Sequence, residues 1–180
     1  MRLLIASDIH GSALRAGLFR DQVKERRPDM VLLLGDLLYH GPRNPLPDNY
    51  SPAEVISILS GLDAPVIAVR GNCDADVDQL VLPWHLADSA WIIDGGRRLL
   101  AVHGHHLPDD RGRMKAEPGT AIVSGHTHIP TAEKIGALHW WNPGSLSLPK
   151  ENYPPSFGCY EDGQFQVLTF DGKTLMADSL

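Results

Sequence analysis

Cysteine is nearly absent from this 180-residue chain, which holds only Cys73 and Cys159. Two thiols make no disulfide framework, so the fold must rest on an apolar core, and a reducing cytoplasm is the expected compartment. Long apolar runs are missing too. The longest, such as residues 30–34, fall far short of the roughly 20 residues that a bilayer-spanning helix needs. Nor is there an excess of basic residues. Sixteen Lys and Arg stand against 22 Asp and Glu, a formal net charge of −6. No diffuse cationic surface is therefore offered to a long nucleic acid or an anionic membrane. Met1-Arg2 opens straight into a strand-like run, and no signal peptide is expected. Repeats and low-complexity tracts are also lacking. At 43% hydrophobic and 21% charged the chain reads as one globular domain, residues 1–180. A chain of that size buries about 70% of its unfolded surface and needs no metal to hold its core.

What stands out is nine histidines, several beside glycine. The first half alternates strands with helices. Residues 2–7, 30–34 and 65–69 are short apolar strands. Leu14, Leu18, Phe19 and Val23 recur at helical spacing behind Ser12 as the cap. Ser51-Pro52-Ala53-Glu54 reads as a capping box with proline at the first helical position, and Gly61 ends that helix. The order β-α-β-α-β with continuously apolar strands implies a parallel sheet covered by helices. The second half is strand-rich. Residues 91–93 and 99–102 form a hairpin across Gly95-Gly96. Residues 121–124, 131–135, 138–141, 157–160, 164–170 and 173–176 follow as short strands. The expected class is α/β, with two sheets in one domain and helices outside. Within residues 138–141, one of Trp140 and Trp141 is expected to face the core. The other is expected to face outward, where it could form a homo-oligomer contact, as could the Tyr153-Pro154-Pro155 loop.

Successive strands finish on ligand-type residues: Asp8 and His10, Asp36, Asn72, and His103, with His126 and His128 after a fifth. Ligands collect at the carboxyl ends of strands in α/β sheets, so these groups can share one crevice. Two carboxylates, one amide and four imidazoles exceed what one tetrahedral zinc uses, and suffice for two metals if a carboxylate bridges. The mixed oxygen and nitrogen donors suit Mn²⁺, with Fe or Zn also compatible. Asp-x-His and His-x-His on extended chain would aim both side chains the same way.

Asp8-Ile9-His10, Gly35-Asp36, Gly71-Asn72, His103-Gly104 and Gly125-His126-Thr127-His128, in that order, resemble the motif set of the calcineurin-like metallophosphoesterases. Gly71-Asn72-Cys73-Asp74, His40-Gly41-Pro42-Arg43-Asn44 and Asn142-Pro143-Gly144-Ser145 resemble its small bacterial YfcE-type phosphodiesterase branch. The likeness implies a four-layer αββα sandwich, two mixed β-sheets flanked by helices. It implies that Asp8, His10, Asp36 and His128 hold one divalent cation and Asp36, Asn72, His103 and His126 a second, with Asp36 bridging. The implied reaction is attack of a metal-bridging hydroxide on the phosphorus of a small phosphodiester, with Asp36, Asn72 and His103 catalytic. Where the larger superfamily carries histidine after the Gly-Asn pair, this chain has Cys73. A thiol with an ordinary pKa of about 8.5 is a poorer acid–base group than imidazole, which points to diesters with good leaving groups. Cys73, His105, Arg43 and His40 are the expected substrate contacts, Arg43 because guanidinium pairs bidentately with phosphate.

Two rival readings remain, the first from another class. The fold also resembles the retromer subunit Vps29, which implies a protein-interaction scaffold with residual metal binding. Related sites also cut nucleic acid, which implies a nuclease or small-nucleotide phosphodiesterase. The full set of seven ligand residues favours the enzyme, and the acidic balance disfavours long polymers.

Overall fold

A computed structural model describes all 180 residues. Its centre is two mixed sheets packed face to face. The larger has the order β12-β11-β10-β1-β2-β3-β4 and the smaller β5-β6-β7-β9-β8. In the first, β1 (Arg2–Ala6), β2 (Met30–Leu33), β3 (Val66–Val69) and the short β4 (Leu86–Ala87) run parallel. β10 (Ser156–Glu161), β11 (Gln164–Thr169) and β12 (Thr174–Ser179) extend it as an antiparallel meander. In the second, β6 (Arg97–Val102), β7 (Ala121–Val123) and β9 (Leu138–Asn142) are parallel. β5 (Ser89–Asp94) and β8 (Thr131–Ile135) close its edges antiparallel. Among the strands, only the two-residue β4 was not legible in the chain.

Alternation along each strand divides the core. Leu4, Val31 and Leu33 point to the outer face of the larger sheet. There they meet Ala16, Phe19 and Val23 of α1 (Ala13–Arg26), and Val55 and Leu59 of α2 (Pro52–Ser60). Leu3, Ile5, Leu32 and Val69 point inward against Leu99, Val123 and Trp141 of the smaller sheet. Trp141 stacks on Phe165 at 4.8 Å between ring centroids. The smaller sheet's outer face carries Leu100, Ile122 and Trp140. Its covering layer is the connection 103–120, which contributes Leu107 and Met114 and a single 3-10 turn, Arg111–Arg113.

Three local expectations change. Trp140 and Trp141 do point to opposite faces, but both are buried, so neither can form the exposed contact expected of one of them. β9 is an interior strand, and the 103–120 segment covers its second face, with Arg111 over the Trp140 ring. The exposed tryptophan is Trp91, on edge strand β5. Ser12 caps α1 by accepting from Arg15 N, but Ser51 makes no side-chain cap bond, and Pro52 at the start of α2 removes one donor anyway. Leu14 is exposed, because the buried stripe of α1 runs through Ala13, Ala16, Phe19 and Val23.

Candidate metal centre

All seven ligand-type residues lie just past the carboxyl ends of parallel strands. Asp8 and His10 follow β1, Asp36 follows β2 and Asn72 follows β3; His103 follows β6, and His126 and His128 follow β7. Both sheets thus deliver donors to one edge of the sandwich. The backbone there is not extended. Asp8, His10, Asp36, His126 and His128 all have positive φ, between 50° and 66°. Each such conformation costs a non-glycine residue about 1 kcal/mol or more, so the surrounding structure must impose it. The first two loops do so by pairing side by side: Asp8 N donates to Gly35 O, His10 N to Asp36 O and Gly11 N to Leu37 O. The expectation of extended Asp-x-His and His-x-His segments is therefore replaced by tight left-handed turns, which still aim both side chains inward.

Three of the four rings are oriented from behind. Nδ1 of His10 lies 2.9 Å from Tyr39 O, that of His103 2.6 Å from Leu34 O, and that of His128 2.5 Å from Leu148 O. With Nδ1–H committed to a carbonyl, the Nε2 lone pair faces the centre, the arrangement metal-ligating histidines use. His10 Nε2 and His128 Nε2 stand 3.2 Å apart, and Asp8 Oδ1 lies 3.7 Å from the first and 3.3 Å from the second. Asp8 Oδ2 is satisfied by Ser7 Oγ and His126 N, whereas buried Asp8 Oδ1 has no hydrogen-bond partner. An orphaned carboxylate oxygen facing two imidazole nitrogens fits a bound cation. Asp36 Oδ2 lies 3.8 Å from His10 Nε2 and 3.4 Å from His103 Nε2, between the two groups. Its Oδ1 accepts from Cys73 N. His103 Nε2 is also 3.1 Å from Asn72 Oδ1. His126 is looser: its half-buried ring packs against His103 at 5.2 Å between centroids.

Without a cation the centre holds itself by charge pairing. Burial works to raise the Asp8 carboxyl, but His10 and His128 beside it outweigh burial and hold it well below the usual carboxylate range. Burial lowers His103, yet Asp36 more than compensates and takes it up to about 9. His126 goes the other way, lowered by burial and by the neighbouring His103. The Cys73 thiol is pushed up to about 12 by burial and by Asp36. It stays neutral at any ordinary pH.

Around the centre opens a cavity of about 760 Å³, lined by Tyr39, Gly41, Arg43, Asn44, Asn72, Cys73, His126, His128 and Lys150 among others. Arg43 and Cys73 therefore face the site. His105 does not line this cavity. It sits with His106, Arg70 and Asp88 in an adjoining recess of about 480 Å³ on the other side of Asn72. His40 lines neither, its ring held edge-on between Tyr39 and Tyr50.

The sequence reading passed over Tyr39 and Lys150. Asp74 accepts from the backbone N–H groups of Asp36, Leu37 and Gly71 at 2.7–2.8 Å, stitching the loop that carries Asp36 to the loop that carries Asn72. Those loops touch so closely that a Cβ on Gly71 would lie 2.1 Å from Asp36 Oδ1. The Asn142-to-Ser145 segment does similar work. Asn142 Nδ2 donates to Gly125 O, and Ser145 Oγ and Ser147 Oγ both donate to Asp8 O.

Residues 1–162 match the calcineurin-like phosphoesterase superfamily domain. The chain belongs to that superfamily. It is also 37% identical to phosphodiesterase YfcE of Escherichia coli K12 over 179 residues, covering 98% of this chain and 96% of that one. The solved structure of the E. coli YfcE phosphoesterase superposes with a TM-score of 0.94 at 36% identity over 98% of both chains. The family resemblance carried by the motifs thus extends along nearly the whole chain, and the two-sheet calcineurin-like phosphoesterase fold is the expected one. Vps29 of Entamoeba histolytica complexed with zinc shares the fold alone, with a TM-score of 0.68 and 23% identity over 100% of this chain and 98% of that one.

Proposed function

We propose that this protein is a metal-dependent phosphodiesterase acting on small phosphodiesters at a centre of two divalent cations. The observation that carries this reading is the orphaned, buried Asp8 Oδ1 facing the Nε2 atoms of His10 and His128, with Asp36 Oδ2 shared toward His103. Likeness to the E. coli phosphodiesterase over nearly the full chain supports the same reaction class.

Asp8, His10, Asp36 and His128 would hold one cation, and Asp36, Asn72, His103 and His126 the other. When bound, such cations lower the pKa of water and neutralise phosphoryl oxygens. The chain's own residues do the rest. The backbone carbonyls of Tyr39, Leu34 and Leu148 keep three imidazoles in the tautomer that presents Nε2. Asp36 keeps the two groups in register through a single oxygen. Asn72 lines the cavity as a polar group for the reacting phosphate, and buried His103, in contact with Asn72 Oδ1, backs it from behind. Cys73 packs against Gly41 and Asn72 and offers substrate a neutral, weakly polar wall. It supplies no effective proton, so esters with good leaving groups are the expected substrates.

Mn²⁺ is the cation this oxygen-and-nitrogen donor set suits best, and Fe or Zn would also fit. The two free thiols fit a reducing compartment, the cytoplasm. Chelation should abolish hydrolysis of bis-p-nitrophenyl phosphate, and Mn²⁺ should restore it. Full activity of a metal-free preparation would refute the metal-dependent reading. Two bound cations by elemental analysis with no esterase activity on any diester would favour a scaffold instead.

A further inference from the structure

We infer that the natural diester carries a second anionic group outside the scissile phosphate, held by Arg43 and Lys150. This rests on the phosphodiesterase reading and extends it to the substrate's other arm. Arg43 and Lys150 enter the same cavity from two different loops. Both are exposed at its rim. The Arg43 loop is pinned by Asn44 Nδ2 donating to His40 O, and its Gly41 lies over the Cys73 thiol. Lys150 is anchored beside a candidate ligand, its backbone N–H donating to His128 O. Both cations are thus placed by backbone already fixed around the centre.

Their charges are free. Arg70, on the adjoining recess, is spent on Asp76 at 2.7 Å and on Asp74 O. Arg15 and Arg111 are likewise paired, with Asp48 and Glu133. The carboxylates that line the main cavity are Asp36 and Asp74. Asp36 serves His103 and Cys73 N, and Asp74 serves three backbone N–H groups. Neither is left to neutralise Arg43 or Lys150. On a chain of net charge −6, two unpaired cations at the mouth of one cavity are a local reversal of sign. A simple diester carries one negative charge, which the centre itself would take. The two rim cations then call for a further anion, such as a phosphate or carboxylate on the non-leaving arm. A cavity of about 760 Å³ has room for that arm.

The test uses p-nitrophenyl diesters that differ only in the non-leaving arm: uncharged, carboxylated or phosphorylated. The wild-type protein with Mn²⁺ should show kcat/KM at least about tenfold higher for the charged arms, and the preference should shrink as NaCl rises from 0.05 to about 0.5 M. In Arg43→Ala/Lys150→Ala the ratio of charged to uncharged should fall to within about twofold. The chelated protein is expected to leave diesters intact, so binding of the phosphorylated diester can be read by calorimetry; it should weaken in the double variant. If both classes are cleaved equally by the wild type, the inference falls while the phosphodiesterase reading stands. If the double variant loses activity on both alike, with the ratio unchanged, Arg43 and Lys150 grip the scissile phosphate and the inference is overturned. If no diester is cleaved with Mn²⁺ restored, the phosphodiesterase reading itself fails. Because the salt arm uses wild-type protein alone, misfolding of the double variant would not shelter the idea.

Discussion

His10 and His128 face each other through their Nε2 atoms at 3.2 Å, each with Nδ1 committed to a backbone carbonyl. Two imidazole lone pairs at that distance repel unless a proton or a cation lies between them. The centre is therefore a place where protons and metal ions compete.

That competition has a sign. His103 is raised to about 9 by Asp36 when no cation is bound. A raised histidine stabilises the metal-free fold fully below its ordinary pKa of about 6.5, and that contribution is lost as pH climbs through 9. The chelated protein should thus lose Tm steadily between pH 6.5 and 9, whereas with saturating Mn²⁺ the same range should be flatter. Titration calorimetry at pH 7.5 in buffers of different ionisation heat should show protons released on Mn²⁺ binding. No release would contradict the assignment of His103 as a ligand. Throughout, the chelated protein should keep a cooperative transition, because its two main core clusters owe nothing to the centre.

Asp74 tests how the ligand loops are held. Asp74→Asn keeps size but turns one acceptor into a donor facing backbone N–H groups. A loss of about 2–4 kcal/mol in stability is expected, with Mn²⁺ affinity falling at least tenfold. Unchanged metal affinity at reduced stability would confine Asp74 to folding.

The neutral Cys73 thiol bears on substrate choice. With its pKa pushed up to about 12, it offers little help to a poor leaving group. The kcat/KM for bis-p-nitrophenyl phosphate should exceed that for p-nitrophenyl phosphate, and Cys73→Ala should cost no more than about tenfold in kcat. A faster monoester would overturn the argument.

Away from the centre, Asp178 ties β12 to β9. One oxygen, Oδ2, accepts from His139 Nδ1 at 2.6 Å and Trp141 Nε1 at 2.8 Å. Asp178→Ala leaves both buried donors unpaired and should cost about 2–3 kcal/mol, lowering Tm by roughly 5–10 °C. Because Asp178 lines neither the main cavity nor the adjoining recess, kcat should hold within about twofold.

Much of this was legible in the chain, for identifiable reasons. Continuous apolar runs at β1, β2 and β3 mark strands buried on both faces, and ligand-type residues directly after them mark one crevice. Contacts made by long-range packing were not legible. Trp140 and Trp141 were read as one buried and one exposed, because period-2 alternation gives opposite faces but not what covers the second. The left-handed turns at Asp8 and His10 depend on pairing with residues 35–37, far away in sequence. Lys150 had no motif of its own; only its backbone bond to His128 brings it to the cavity.

The central claim is that one oxygen of Asp36 serves two cations. Asp36→Asn removes the shared charge, and the direct measurement is metal stoichiometry by elemental analysis together with kcat at saturating Mn²⁺. The account predicts fewer than about two ions per chain and a loss of at least about 10³-fold in kcat. An Asp36→Asn protein that still binds two ions and turns over a diester at the wild-type rate would contradict it.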